Sequence, residues 1–463
     1  MSRKRANGSA DITLASVGVS NPRTVPSGAL YVAAVLKQHG YRVDFRDYAI
    51  GCYRDLDPAA LAASLDGAAG VVGLGCLSDT LPFVVAALAD LKARDPEKTV
   101  ILGGPGPTGV ARELIETFPF IDIVAAGEGE ATALDLMEHL AGGDGAGLEE
   151  VQGIAYRKGD QARVNPPRER LKDLDSLPFP LYDAVDVGNY PMINVVFSRG
   201  CPYRCTFCDV APMWSRRNVR RSVESVIDEI EYLKTKYGRD RFEFTDETFI
   251  LSQEKVMEFC EQLRRAKLDV KWSATGRVNL ITRELLAEMA RAGCEAMFFG
   301  IESGSDGVLE KVKKDFAVAE AVEALHTTLE YMKPVASFIW GFPFETEADL
   351  MQTLLLVVYL SQLGVDARLS RLAPFPMMPL YHEHGQHLTW FDEPGAHSGA
   401  EAFHIAGYPA RVTDLIQTYP RIFPSFYWFQ TENLGEKTRI VRSLARYWQA
   451  SDWIEPAARE TQA

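Results

Sequence analysis

The chain has 463 residues, too many for one ordinary core, and its 47% hydrophobic and 24% charged residues are typical of a globular protein. Its formal net charge of −14 argues against nucleic acid as the main partner, because phosphate binding needs a basic surface. No uncharged apolar stretch reaches the roughly 18 residues of a membrane span, and no secretion signal is visible, which predicts a cytoplasmic location.

The first part of the chain alternates short Val/Ile/Leu-rich strand patterns with helix patterns. The predicted strands cover residues 11–19, 42–48, 70–76, 99–103 and 121–126. The predicted helices cover residues 27–38, 59–65, 81–93, 110–117 and 130–140. This βαβ series predicts an α/β domain with a doubly wound parallel sheet over residues 11–145, after a disordered tail at residues 1–10.

A linker and a second alternation follow. Residues 146–190 contain four prolines and are predicted to be an irregular linker with a small hairpin at 153–156 and 162–164. Strands are then predicted at residues 192–198, 241–245, 270–275, 296–301, 335–341 and 368–373. Helices are predicted at residues 223–237, 253–266, 283–292, 317–332 and 347–363. Six strands with crossover helices predict a partial (β/α)6 barrel over residues 191–375, and residues 376–463 form a small, mainly helical extension.

Three cysteines, Cys201, Cys205 and Cys208, lie on one short segment directly after the first barrel strand, where α/β barrels place their chemistry. Three thiolates can bind three irons of a 4Fe–4S cluster and leave the fourth iron open to a reactant. A zinc site is the alternative. Zinc usually takes four ligands, however, and Cys260 and Cys294 carry no pairing pattern that would supply a fourth.

The spacing Cys-x-x-x-Cys-x-x-Cys, with an aromatic residue before the last cysteine, resembles the signature of the radical S-adenosylmethionine (SAM) superfamily. The resemblance implies that the open iron binds SAM, and that an electron from an external donor such as flavodoxin or ferredoxin cleaves SAM to a 5′-deoxyadenosyl radical. It also implies SAM contacts at successive strand ends, at Phe207, Asp246, Glu247, Ser273, Arg277, Gly300, Glu302 and Ser303. Asp246 and Glu247 stand where the superfamily usually has Gly-Gly-Glu, and solvated acids are the alternative for this pair.

Glycine-rich loops follow the N-terminal strands, and glycine lets a backbone approach a large ligand. Residues 26–34, 103–105 and 127–130 resemble the Rossmann-like cobalamin-binding domain of one large radical SAM class. The resemblance implies cobalamin contacts at Cys76, Ser78, Thr80, Gly103, Gly104, Gly127, Glu128 and Gly129. The loop at residues 20–24 has no histidine, and His39 and His139 fall on helix patterns, so we expect cobalamin without a histidine lower ligand. A vestigial, empty domain is the alternative.

Two features of the tail allow more than one interpretation. Five histidines crowd one stretch, and a metal site or an ordinary loop can explain them: His382, His384, His387, His397 and His404. The aromatic run at residues 423–429 can cap the barrel mouth, line a substrate cavity or pack in a core.

The resemblance implies a cycle in which one SAM methylates cob(I)alamin, a second yields the radical, and methylcobalamin delivers a methyl group to an unactivated carbon. The leading hypothesis is a cobalamin-dependent radical SAM methyltransferase acting on a small-molecule or peptide biosynthetic intermediate. A cyclase, rearrangement or oxidation enzyme with the same cofactors is the main alternative. A methylthiotransferase would need a second cluster, for which the N-terminal part offers only Cys52 and Cys76. A non-catalytic sensor that binds a cluster and a corrinoid is the last alternative.

Overall fold

The computed structural model describes residues 10–18, 24–48, 57–140, 147–390 and 408–449. Several positions discussed above lie outside these ranges: Cys52, His397, His404, residues 1–9 and residues 19–23. None of the helices in the described ranges has the length and apolar character that a membrane crossing requires. Two main sheets with helices packed on them organise these residues.

The first sheet has five parallel strands: β1 (Ile12–Val17), β2 (Val43–Asp47), β3 (Val71–Cys76), β4 (Thr99–Gly103) and β5 (Ile123–Ala125). Its helices are α1 (Ser27–Gln38), α2 (Pro58–Ser64), α3 (Leu81–Arg94), α4 (Pro105–Thr108), α5 (Ala111–Thr117) and α6 (Gly129–Leu140). The predicted doubly wound sheet is therefore confirmed. Its order β2-β1-β3-β4-β5 reverses direction between β1 and β3, the place where open α/β sheets bind ligands.

The predicted hairpin forms β6 (Ile154–Lys158) and β7 (Gln161–Val164). It does not stand alone in a linker, because β6 pairs antiparallel with β5 and extends the first sheet to seven strands. The first three residues of β6 are buried, so this strand covers an edge that the short β5 would otherwise leave unpaired.

The second sheet has six parallel strands in sequential order, with helices between them, which confirms the partial barrel. The strands from this part of the chain are β8 (Ile193–Val195), β9 (Ser198–Arg199), β10 (Val219–Arg220), β11 (Arg241–Phe244), β12 (Lys271–Gly276), β13 (Cys294–Glu302), β14 (Lys333–Trp340) and β15 (Asp366–Arg371). Of these, β9 and β10 form a separate antiparallel pair beside the barrel. The helices are α7 (Val210–Met213), α8 (Val223–Tyr237), α9 (Gln253–Ala266), α10 (Arg283–Arg291), α11 (Asp306–Lys311), α12 (Val318–Leu329) and α13 (Glu347–Gln362).

Serine and threonine caps fix where the main barrel helices begin. Ser222, Ser252, Thr282 and Thr346 each accept a hydrogen bond from the backbone N–H three residues ahead. The helices cover the outer face of the sheet, where a cluster around Phe244 and Trp272 joins the main core. The inner face of the barrel sheet, opposite these helices, is where polar side chains and a functional site can lie.

The C-terminal extension joins the two halves of the molecule. It contains α14 (Pro379–His384), β16 (Leu388–Thr389), α15 (Ala410–Thr418), β17 (Trp428–Phe429) and α16 (Leu434–Gln449). Val412 and Ile416 pack into the core of the first sheet, whereas Trp428 lies edge-on to Trp340 of the barrel at 5.4 Å between ring centroids. The aromatic run at residues 423–429 is buried, which favours the interpretation that these side chains pack in a core.

Candidate functional site

The three cysteines lie on the loop between β9 and α7, beside the carboxyl end of the first barrel strand. The chain enters this loop through Gly200, which has a φ of +95°. A Cβ at this position would overlap the carbonyl oxygen of Arg217 and lie 2.9 Å from Cβ of Trp214. Only glycine therefore allows both the turn and the close packing that begin the loop.

Hydrogen bonds from neighbouring strand ends hold the base of the loop. Asp246 accepts from the N–H of Phe197 at 3.1 Å and from the hydroxyl of Ser198 at 2.6 Å. Glu247 accepts from the N–H of Gly200 at 2.7 Å. Burial raises the pKa of Asp246 to about 6. Both carboxylate oxygens of Asp246 thus accept hydrogen bonds from the protein. The geometry gives no support to the predicted contact between Asp246 and SAM, which stays a prediction.

The sulfur atoms have few protein partners. Sγ of Cys201 lies 3.8 Å from Oγ1 of Thr248, and the cysteines are free thiols. Burial raises the pKa of Cys201 and raises that of Cys208 to about 12, and negative charge on Cys205 adds to both shifts. Metal binding would have to stabilise the thiolates that a cluster needs.

The cysteine loop offers three sulfur atoms as possible metal ligands. Within the described part of the chain, no three His, Cys, Asp or Glu side chains converge on a position where one metal ion could be held. In a 4Fe–4S cluster each sulfur binds a different iron, so three thiolates would leave the fourth iron without a protein ligand. His382, His384 and His387 form no such group either.

A buried ion pair lies beside the loop on the barrel's inner side. Nζ of Lys314 lies 3.0 Å from Oε1 of Glu302 and 5.8 Å from the ring centroid of Phe207. Glu302 has a φ of +75°, and a Cβ on Gly300 would overlap its carboxylate. The glycine at position 300 therefore makes room for the Glu302 carboxylate. The sequence analysis had instead predicted that Gly300 contacts SAM. Lys314 was not predicted, since its lysine-rich segment has no motif that marks it.

Three further residues that were predicted to contact SAM lie in different surroundings. Ser303 is buried and lies 3.2 Å, oxygen to oxygen, from Thr353 of α13, which makes it part of the packing behind the site. Ser273 is half-buried on β12. Arg277, at the end of the same strand, is buried against the cysteine loop, and its N–H lies 3.6 Å from Sγ of Cys205.

The loop after β3 lies at the switch point of the first sheet. The hydroxyl of Thr80 donates to the carbonyl of Val17 at 3.2 Å, which joins the ends of β3 and β1. Cys76 is buried at the end of β3 and Ser78 is half-buried. Asp79, which was not among the predicted contacts, is buried here, and burial raises its pKa to about 6. This loop has the position expected of a cofactor-binding loop.

The glycines of the neighbouring loops have different roles. Gly104 has a φ of +94°, and a Cβ there would lie 2.8 Å from the carbonyl oxygen of Cys76, so packing within the protein requires glycine. A Cβ on Gly129 would lie 3.1 Å from Cγ2 of Val32, whereas one on Gly103 would make only an ordinary contact, 3.9 Å from the carbonyl oxygen of Ala125. Gly127 has a φ of +86° with nothing within 4 Å of a Cβ, so there is free space beside its Cα. Its N–H donates to Oγ1 of Thr108 at 3.3 Å.

A buried ionic network joins the first sheet to the cysteine loop. Arg199 lies 2.7 Å from Glu130 and 3.2 Å from Glu128, and all three side chains are at most 10% exposed. Glu128 also accepts from the N–H of Leu171 at 2.9 Å and lies 3.6 Å from Arg170. Glu128 therefore has protein partners where a cobalamin contact was predicted. Arg199 was missed, although its position two residues before Cys201 could have marked it.

The two histidines of the first sheet's helices bind their own backbones. Nδ1 of His39 lies 2.9 Å from the carbonyl of Val35, and Nδ1 of His139 lies 2.7 Å from that of Asp135. Cobalamin without a histidine lower ligand stays a prediction.

Family models match both halves of the chain. The B12 binding domain model matches residues 14–137, and the radical SAM superfamily model matches residues 195–357. An uncharacterized methyltransferase of Pyrococcus horikoshii is 30% identical over 372 residues, which are 78% of this chain and 78% of that protein. The anaerobic magnesium-protoporphyrin IX monomethyl ester cyclase of Cereibacter sphaeroides is 30% identical over 315 residues, covering 64% of this chain and 50% of that protein.

A solved structure shares the whole arrangement. The radical SAM methyltransferase TsrM from Kitasatospora setae, with cobalamin and a 4Fe–4S cluster bound, superposes with a TM-score of 0.71. The match covers 97% of this chain and 90% of that chain. At 16% identity it shows a common fold.

Proposed function

We propose, from the premise that this chain belongs to the cobalamin-dependent radical SAM enzymes, that it methylates an unactivated carbon of a biosynthetic intermediate. The substrate is a small molecule or a peptide. The electron comes from an external donor such as flavodoxin or ferredoxin, and the setting is the cytoplasm.

The residues present suit the three cofactors. Cys201, Cys205 and Cys208 would hold the 4Fe–4S cluster. Phe207, which directly precedes Cys208, and Glu247, which accepts from the N–H of Gly200, are among the residues proposed to contact SAM. Cobalamin would be held at the loop after β3, and Gly127 would leave space for it beside its backbone. When bound, the cluster supplies the electron that cleaves SAM, and cobalamin carries the methyl group.

The single observation that carries the proposal is the network at Arg199. This residue immediately precedes Gly200, where the cysteine loop begins. It binds Glu128 in the loop after β5 and Glu130 in the first turn of α6. The network therefore fixes the cysteine loop against the edge of the first sheet proposed to bind cobalamin. A methyl group and a substrate radical can meet only if the two cofactors face one shared space, and this contact supports that arrangement.

A second candidate is a cyclase that uses the same cofactors without methyl transfer. It is favoured by the 30% identity to the anaerobic cyclase of Cereibacter sphaeroides, although this chain spans only 50% of that protein. Such a reaction would consume SAM as 5′-deoxyadenosine and leave no methyl group in the product.

The test uses the full chain, reconstituted without oxygen with iron, sulfide and hydroxocobalamin, and SAM with three deuterium atoms on its methyl group. A metabolite extract of the source organism supplies the substrate. Methyl transfer predicts a product that carries the deuterated methyl, with S-adenosylhomocysteine and 5′-deoxyadenosine formed in equal amounts. An unlabelled product with 5′-deoxyadenosine alone would refute methyl transfer and favour the cyclase.

A further inference from the structure

The guanidinium of Arg277 is fixed beside one cysteine of the loop. One N–H donates to Sγ of Cys205 at 3.6 Å, and another donates to the carbonyl of Lys314. The guanidinium carbon stacks 3.7 Å from the ring centroid of Tyr203. Arg277 is only 6% exposed, so the cation and its hydrogen bond to sulfur are held in one orientation away from solvent.

The charge of Arg277 has no buried counterion in the described part of the chain. The acid nearest to it in an ion pair is Asp315, at 3.9 Å, and that side chain is 62% exposed. Solvent screens such a pair strongly. The neighbouring cation Lys314 is already paired with Glu302. The positive charge of Arg277 therefore acts mainly on the sulfur of Cys205 and on whatever that sulfur binds.

We propose that Arg277 is a positioning residue that sets the reduction potential of the cluster. Hydrogen bonds to ligand sulfurs and nearby charge tune iron–sulfur potentials, because reduction adds one negative charge to the cluster. A buried cation that donates to the Cys205 sulfur stabilises the reduced form and makes the one-electron reduction by the donor easier. The inference rests on the proposed ligation by Cys205, and it replaces the SAM contact that the sequence predicted for Arg277.

The test is a potentiometric titration of the reconstituted full chain without SAM, followed by electron paramagnetic resonance. Arg277→Gln removes the charge and is expected to titrate at a more negative potential. A tenfold fall in the equilibrium constant for reduction corresponds to a shift of about 59 mV. Arg277→Lys keeps a charge without the planar fork and is expected between Arg277→Gln and the wild type. Asp315→Asn removes a screened anion, so its potential should stay at or above that of the wild type.

The SAM-contact alternative predicts a different pattern. If Arg277→Gln titrates at the wild-type potential without SAM while its affinity for SAM falls, the inference is overturned. If Arg277→Gln binds no iron, Arg277→Lys is compared with the wild type instead. A reduction potential below that of the wild type then supports the inference, and a reduction potential equal to it overturns the inference. Failure of the ligation itself would be seen separately, as a Cys205→Ala protein that still holds the cluster.

Discussion

Replacing Arg199 with methionine is expected to destabilise the protein more than replacing either carboxylate that it binds. The substitution leaves Glu130 buried without a partner, and it leaves Glu128 with Arg170 at 3.6 Å and the N–H of Leu171. Breaking a buried ion pair from one side costs about 3–5 kcal/mol, because an uncompensated charge remains. Glu130→Gln should cost only about 1–3 kcal/mol, since Arg199 keeps Glu128 at 3.2 Å.

The double variant gives the sharper test. Arg199→Met with Glu130→Gln removes both charges, so it should be more stable than Arg199→Met alone even though it carries one more substitution. The free energy of unfolding is measured by urea titration. Arg112→Gln, which breaks an exposed pair with Glu116, is the matched control and should change little. If the double variant loses as much as the two single variants together, the network does not act as a buried charge cluster.

Three further results are expected. Gly200→Ala should abolish iron binding after reconstitution, because its φ of +95° and its packing exclude a Cβ, whereas Gly28→Ala, with no atom within 4 Å of the added Cβ, should bind iron normally. Asp246→Ala should lower the stability by about 1–3 kcal/mol for each of the two donors it leaves unpaired, and an unchanged urea midpoint would contradict the assigned bonds. Asp79 has a native pKa of about 6, above its unfolded value, so ionising it destabilises the fold as pH rises from about 4 to about 6. Asp79→Asn lacks this penalty and should gain roughly 3 kcal/mol relative to the wild type between pH 4 and pH 7; equal pH profiles would refute the assignment.

The regular elements were predictable because their signals are local. The strand patterns that became β3 and β13 are apolar runs bounded by turn residues. The helices predicted at residues 223–237 and 347–363 begin as expected, and the structure shows that Ser222 and Thr346 cap them. The pairing of β6 with β5 was not predictable in this way. Which edge a hairpin covers depends on the whole sheet, and periodicity carries no information about it.

The sequence identified many of the residues at the site, but it did not predict what each of them contacts. The cysteine spacing marks the loop, but the sequence cannot show which acids remain free once the chain folds. Asp246, Glu128 and Glu302 were expected to contact cofactors, and each is bound to protein donors or cations in the structure. Buried carboxylates need such partners, and the partners come from distant segments. Arg277 is the same case among the cations: the strand end was recognised, whereas its contact with Cys205 depends on tertiary structure.

The central claim is that one chain holds both a cluster on Cys201, Cys205 and Cys208 and a corrinoid on its first sheet. The most direct measurement is the iron, sulfide and cobalt content per chain after anaerobic reconstitution with hydroxocobalamin. The wild type is compared with a variant that combines Cys201→Ala, Cys205→Ala and Cys208→Ala. We expect about four irons in the wild type and none in the variant, with one cobalt in both. Zinc in place of iron, or iron without cobalt, would contradict the account.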